Sequence, residues 1–285
     1  MTEQTPLVAV CGLTTLDLIQ YVDSTPGPDE KVQATAAVLD FGGPAANAAA
    51  TAASLGVRTR LISALGDDET AALVRSSIEA SGIEVCEADA DAGWRLPVSS
   101  VVVDNAGRRS VVSSNALGSG AIAPPPDSLD AVQALLVDGH HLDMCVSVAR
   151  SARRAGIPVL LDGGSWKTGL ENLIDLVDAA VLSADFRTPD AGDALASDLW
   201  GARPVAVTHG PEPIAYRIGS RAGEVPVPEV RAVDTLGAGD VLHGAWLAFV
   251  GRHGLTESGF ADGLAYAAEA ASQSCSRPGL RPTGN

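Results

Sequence analysis

The chain is poor in aromatic residues, basic residues and cysteine, and each scarcity argues against a class of function. Lysine and arginine number 19 against 35 acidic residues, a formal net charge of −16 over 285 residues. Nucleic acids and anionic membranes are bound by cationic patches that displace counterions, so neither is expected as a partner. The four cysteines (Cys11, Cys86, Cys145 and Cys275) are scattered with no Cys-x-x-Cys spacing. That pattern predicts free thiols in a reducing cytoplasm rather than disulfides or a zinc centre. No apolar run approaches the roughly 18 uncharged residues of a membrane span. The opening MTEQTPLVAVCG has no basic segment leading into a long apolar one, and reads as a short lead into a first strand, not a secretory leader. Aromatic residues make up 4% of the chain, which leaves few platforms for a stacked base.

Small and apolar residues are plentiful. The hydrophobic fraction is 46%, enough for a sizeable core in what is expected to be one domain over residues 1–285. Short apolar runs at residues 7–10, 134–137, 158–161, 179–182 and 204–207 lack the polar alternation of half-exposed strands, and 60–65 resembles another strand. The segments between them are long enough for helices, among them 45–55, closed by Gly56, and 68–81, stopped by Gly82. This alternation predicts an α/β fold with a largely parallel sheet covered on both faces and ligands at the carboxyl ends of its strands. Two β-like stretches, 18–40 and 94–114, break the rhythm, and in the second the runs 99–103 and 109–113 flank the turn Asp104-Asn105-Ala106-Gly107. They are expected to meet as a small lid over the mouth of the site.

Two segments carry chemistry. Late in the chain, Asp234-Thr235-Leu236-Gly237-Ala238-Gly239-Asp240 precedes an apolar run that reads as a buried helix. Small residues there let backbone N–H groups converge on an anion, with the helix dipole behind them. Asp240, at the start of that helix, is placed either to cap it or to accept a proton from a substrate hydroxyl. Early in the chain, Gly42-Gly43 precedes an alanine-rich helix that contains Asn47. Bare backbone at the two glycines permits close approach of a ligand, and Asn47 has a donor and an acceptor for hydroxyls; a plain packing helix fits the same residues.

Together these segments resemble the paired signatures of the ribokinase-like, or pfkB, carbohydrate kinases: Gly-Gly-x-x-x-Asn early and Asp-Thr-x-Gly-Ala-Gly-Asp late. The resemblance spans the whole chain, including Gly12 and Asp17 near the first strand and the late Cys275-Ser276-Arg277-Pro278-Gly279 stretch. It implies a three-layer ribokinase-like α/β domain with a β lid, often a homodimer surface in this family, that phosphorylates a small sugar with ATP. Asp17, Gly42, Gly43 and Asn47 then fall where the family holds its sugar. Gly237, Ala238 and Gly239 fall at its anion hole and Asp240 at its base. Thr208, Gly210 and Thr235 fall on the nucleotide side, and Arg109 resembles an arginine that some members direct at the phosphates. Mg²⁺ is expected to travel with ATP, with no dedicated protein cage.

The chain departs from the family in two places. Where many members carry Asn-x-x-Glu after a central strand, this chain has Ser183-Ala184-Asp185-Phe186, as ketohexokinase-like and sulfofructose-kinase-like relatives also depart. The adenine-side loop reads Thr208-His209-Gly210-Pro211-Glu212-Pro213, in which proline replaces a glycine. The leading expectation is a kinase of a ketose-like sugar. The alternatives are a nucleoside kinase of the same fold and a non-catalytic sugar- or nucleotide-binding regulatory protein.

Overall fold

The computed structural model describes residues 5–91, 93–114, 122–189, 192–277 and 279; Pro278 of the late stretch lies outside them. In chain order the elements are β1 (Leu7–Cys11), β2 (Thr15–Val22), β3 (Ala36–Gly42), α1 (Pro44–Ser54), β4 (Arg58–Ser63), α2 (Glu69–Ala80), β5 (Ile83–Glu87), β6 (Asp89–Ala90), β7 (Val98–Asp104), β8 (Arg109–Ser113), β9 (Ile122–Ala123), β10 (Val132–Val137), α3 (Leu142–Ala155), β11 (Val159–Gly163), α4 (Glu171–Ile174), β12 (Ala179–Ser183), β13 (Val205–His209), β14 (Glu212–Ile218), β15 (Arg221–Val225), α5 (Ala238–His253) and α6 (Phe260–Cys275).

The apolar runs become strands of one nine-stranded sheet in the order β15-β14-β13-β12-β11-β10-β1-β4-β5. Every pairing from β5 to β13 is parallel, and β14 and β15 add an antiparallel edge. Alternate side chains of each central strand feed two cores. One packs against α1, α2, α5 and α6 and the other against α3, α4 and Trp200, giving three layers. The chain leaves β1 to build the β4–β5 side and returns at β10 to build the other. Connections from β1 and β10 therefore diverge, and the carboxyl ends of these neighbours open the crevice in which such sheets hold ligands.

The strands of 18–40 and 94–114 pair as a separate sheet in the order β3-β2-β7-β8. It begins at Thr15, directly after β1, and its β3 ends at Gly42, directly before α1, so it is rooted at the crevice. The turn between β7 and β8 is fixed by Asp104, whose carboxylate accepts from the Ala106 and Arg108 amides and the Arg108 guanidinium.

Two expectations need correction. Helix-length crossovers were expected throughout, but β11 and β12 are joined through a four-residue helix, and β12 and β13 through a single 3-10 turn, Asp198–Trp200, among the described residues. Arg203 does the local work of a helix there: it donates to the carbonyls of Ile174, Val177, Leu199 and Trp200. The β14–β15 hairpin was not anticipated. Gly210 and Pro211 form the tight turn that enters it, with His209 paired to Glu212, so the prolines of this loop serve a hairpin. All four cysteines are free, and no helix among the described residues is long and apolar enough to cross a membrane.

Candidate active site

Two helices meet at the crevice because their residues are small. A Cβ on Gly244, one turn past Asp240, would lie 2.3 Å from the Ala48 carbonyl, so α5 and α1 touch backbone to backbone. At that separation the short side chain of Asn47 reaches Asp240, donating from Nδ2 to Oδ2 at 2.8 Å. Asn47 was expected to address substrate with both its groups. One hydrogen of its Nδ2 goes to the aspartate, and its Oδ1 is buried without a partner.

Asp240 sits in the first turn of α5, after Gly237 in the left-handed region at φ 67, and no side chain caps this terminus. The carboxyl of Asp240 is pushed up to about 7, first by burial and then by the charge of Asp162; the Asn47 hydrogen bond and His243 pull it back down, and Asp138 adds a smaller upward push. Asp162, at the end of β11, is itself raised by burial, with His243 opposing. Three carboxylates thus converge from β10, β11 and α5. His243 stands among them, with Nδ1 3.4 Å from Asp162 Oδ2.

The crevice side is built from bare backbone and buried polar groups. A Cβ on Gly12 would fall 2.1 Å from Asp138 Oδ1, and one on Gly42 2.0 Å from Asp17 Oδ2. Both glycines are therefore required by the carboxylates packed over them. Gly43, at φ 90, passes so close to Leu13 that a Cβ would meet its carbonyl at 2.5 Å. Asp17 accepts from the Thr15 hydroxyl at 2.5 Å, and Asp138 from the amides of Leu13 and His140, each at 2.8 Å. Around this floor lie further buried polar atoms without a partner: Thr14 Oγ1, Trp94 Nε1 and both ring nitrogens of His141. His141 packs edge-on to Trp94 at 5.3 Å, and burial pushes its pKa down to about 4, so at neutral pH it is an uncharged donor and acceptor.

The glycine turn is held from both sides. Asp234 accepts from the Leu236 amide at 2.9 Å and the Gly279 amide at 3.0 Å, and the amides of Val233 and Asp234 both donate to the Cys275 carbonyl. The late Cys275 to Gly279 stretch thus fastens the turn to the end of α6. From the small sheet, Arg109 reaches over to donate to the Thr235 hydroxyl at 3.1 Å. Thr208, next to the end of β13, donates to the Leu182 carbonyl, and Gly210 lies in the hairpin turn at φ 65. Since β12 separates β13 from β11, these two residues line the sheet's carboxyl edge on the side away from Asp138 and Asp162.

This constellation of a glycine turn, a helix-terminal aspartate and a small sheet over the strand ends can be compared with known proteins. The sequence profile described as pfkB family carbohydrate kinase matches residues 5–284. The chain belongs to the pfkB family. An ATP-dependent ribose-1-phosphate kinase of Halopiger xanaduensis is 28% identical over 284 residues, which cover 96% of this chain and 93% of that protein. Two solved structures share the ribokinase-like α/β fold. Microbiome-derived acarbose kinase Mak1 matches with a TM-score of 0.81 over 99% of this chain and 96% of its own, at 20% identity. Arabidopsis thaliana ribokinase, complexed with ribose and ATP, matches with a TM-score of 0.72 over 97% and 94%, also at 20% identity.

In this pfkB kinase, reading the sequence alone missed Asp138 and His243, and it left Asp162, at a strand end that reads as a turn or a distant magnesium-water contact, out of the site. Asp138 and Asp162 each stand at or just past the carboxyl end of a parallel strand, a position that marks ligand sites in such sheets and was the available signal. His243 offered only its place one turn after Asp240, in the stretch Val241 to Val250 whose other residues are apolar.

Proposed function

We propose that this chain transfers the γ-phosphoryl group of ATP to a hydroxyl of a small uncharged sugar, with Asp240 accepting the hydroxyl proton. The observation that carries this reading is the position of Asp240, at an uncapped helix N-terminus behind Gly237–Gly239, with its carboxylate oriented by Asn47. The open amides and the helix dipole favour the phosphoryl oxygens as charge develops on them, and the aspartate stands where an in-line hydroxyl must shed its proton. MgATP enters as a substrate complex. The metal would be carried on the phosphates.

The sugar would lie on Gly42 and Gly43 between Asp17 and Asn47, whose free Oδ1 accepts from a hydroxyl. Thr14, Trp94 and His141 complete a wall of groups suited to hydroxyls. With Asp17 and Asp138 as further neighbours and His141 uncharged, the pocket favours a neutral polyol over a phosphorylated sugar. A ketose is the preferred candidate. The Arg109 contact to Thr235 supports a role for the small sheet as a lid that closes over both substrates and excludes water.

The test is an ATP-consumption panel of D-fructose, other ketoses, D-ribose, D-ribose 1-phosphate, polyols and nucleosides, with the phosphorylated position read by ³¹P NMR. Turnover with an unphosphorylated sugar is expected. Turnover confined to nucleosides or to the sugar phosphate would overturn the assignment.

A further inference from the structure

His243 has both ring nitrogens against carbonyl oxygens: Nδ1 lies 2.8 Å from the Gly239 carbonyl and Nε2 3.0 Å from the Val181 carbonyl. A carbonyl oxygen accepts hydrogen bonds and never donates one, so each contact needs a hydrogen on the nitrogen. Neutral imidazole has one such hydrogen, and its bare nitrogen would set a lone pair against the second carbonyl. Only the imidazolium satisfies both. A counter-ion is in place, because Asp162 Oδ2 lies 3.4 Å from Nδ1 and the two side chains are 7% and 9% exposed.

We propose that His243 is a buried imidazolium, the internal counter-ion of Asp162, and that this pair sets the charge state of Asp240 beside it. The second half rests on the reading of Asp240 as the base. Asp138, Asp162 and Asp240 bring three negative charges into one enclosed place, and a bound nucleotide adds more. Left unbalanced, they would force a proton onto the one carboxylate that must be free to accept one. His243 supplies the balancing charge from inside, where the effective dielectric is low and solvent cannot screen it. The directions agree: Asp162 raises the Asp240 carboxyl and His243 lowers it.

Among the described residues no other cation is paired with these carboxylates. Lys167, after β11, acts on Asp162 more weakly than His243 does, and Asn47 from α1 is neutral. The strands β1, β10 and β12 and helix α1 carry no ionisable side chain except Cys11, and Asp262 and Glu269 of α6 are exposed. His243 also joins the first turn of α5 to β12 and faces β11 through Asp162. It is a positioning residue, acting on the reaction through Asp240.

Two measurements on the unliganded full-length protein test this without knowledge of the sugar. In ¹⁵N-histidine NMR at pH 7.5, with His243 assigned by its loss in His243→Asn, both ring nitrogens should carry directly bonded hydrogen. One bare nitrogen overturns the imidazolium. In a ¹³C-carboxyl aspartate titration, with Asp240 assigned by its loss in Asp240→Asn, the midpoint should rise by about one unit or more in His243→Asn and fall by a similar amount in Asp162→Asn. Opposite shifts are not produced by a general loosening of the fold, and a midpoint that stays put in both variants overturns the coupling. Should His243→Asn not fold, His243→Gln supplies the assignment of the histidine spectrum, and the Asp162→Asn titration still decides the coupling. Failure of the base assignment is read separately, as normal sugar turnover in Asp240→Asn.

Discussion

At the scale of single residues, Asp240 must be ionised to act as a base yet sits where charge is costly, and its raised carboxyl reflects that conflict. Asp240→Asn should leave both KM values within a few-fold and lower kcat by about 10² or more, measured by steady-state kinetics. With the carboxyl at about 7, kcat/KM of the wild type should fall as pH drops below that value, because the protonated acid cannot accept a proton. The same shift acts on stability. Between 3.8, the ordinary value, and about 7 the folded state binds this proton more tightly than the unfolded chain, so stability declines as pH rises through that window. Asp240→Asn should therefore melt above the wild type at pH 8, with the gap closing near pH 5; equal gaps at both would contradict the assigned shift. Asn47→Ala removes a hydrogen bond that lowers the Asp240 carboxyl, so it should move the acidic limb of kcat/KM upward as well as raise the sugar KM more than the ATP KM. Asp240, Asn47 and the Gly237–Gly239 turn were legible in the sequence because their chemistry is local: small residues before a helix, then a carboxylate. Asp162 was not, since an Asp-Gly after a strand reads equally well as an ordinary turn, and His243 acquires its meaning only from β11 and β12, some 60 to 80 residues earlier.

At the scale of elements, the alanine content of α1 has a purpose beyond helix propensity. The contact between Gly244 and the Ala48 carbonyl sets the distance at which Asn47 meets Asp240. Gly244→Ala would place a methyl group against backbone that cannot swing aside, and should cost about 1–3 kcal/mol of stability while lengthening the Asn47–Asp240 bond. Chemical denaturation together with a kcat loss larger than the change in either KM would show this; a stable, fully active variant would mean that the helices slide apart freely. The central strands were readable because burial on both faces writes them as uninterrupted apolar runs. The crossovers beyond β11 were not, since a single arginine, Arg203, satisfies the carbonyls that a helix would have paired. The β14–β15 hairpin was hidden for a similar reason: Pro211 and Pro213 argue against a strand unless the turn that needs them is known.

At the scale of the whole molecule, the small sheet exposes what the main body conceals. Its edge strand β8 is exposed along its whole length, with Val111 at 51% and Val112 at 76%, and Leu39 of β3 and Val98 of β7 stand at 53% and 45%. An exposed edge strand with valines on both faces is a pairing surface that soluble monomers usually blunt with charge. The chain as a whole carries a net charge of −16, which disfavours association through its charged surfaces, so two copies are expected to meet through this sheet. Light scattering at micromolar concentration should then give twice the 28.9 kDa of one chain, and Val112→Glu should return the monomer mass with an unchanged melting temperature. Because Arg109 reaches Thr235 from the same strand, the monomeric variant should also raise the ATP KM more than it lowers kcat. A wild-type protein that scatters as a single chain would remove the dimer, and leave the exposed valines to be covered only by closure of the sheet upon its own site.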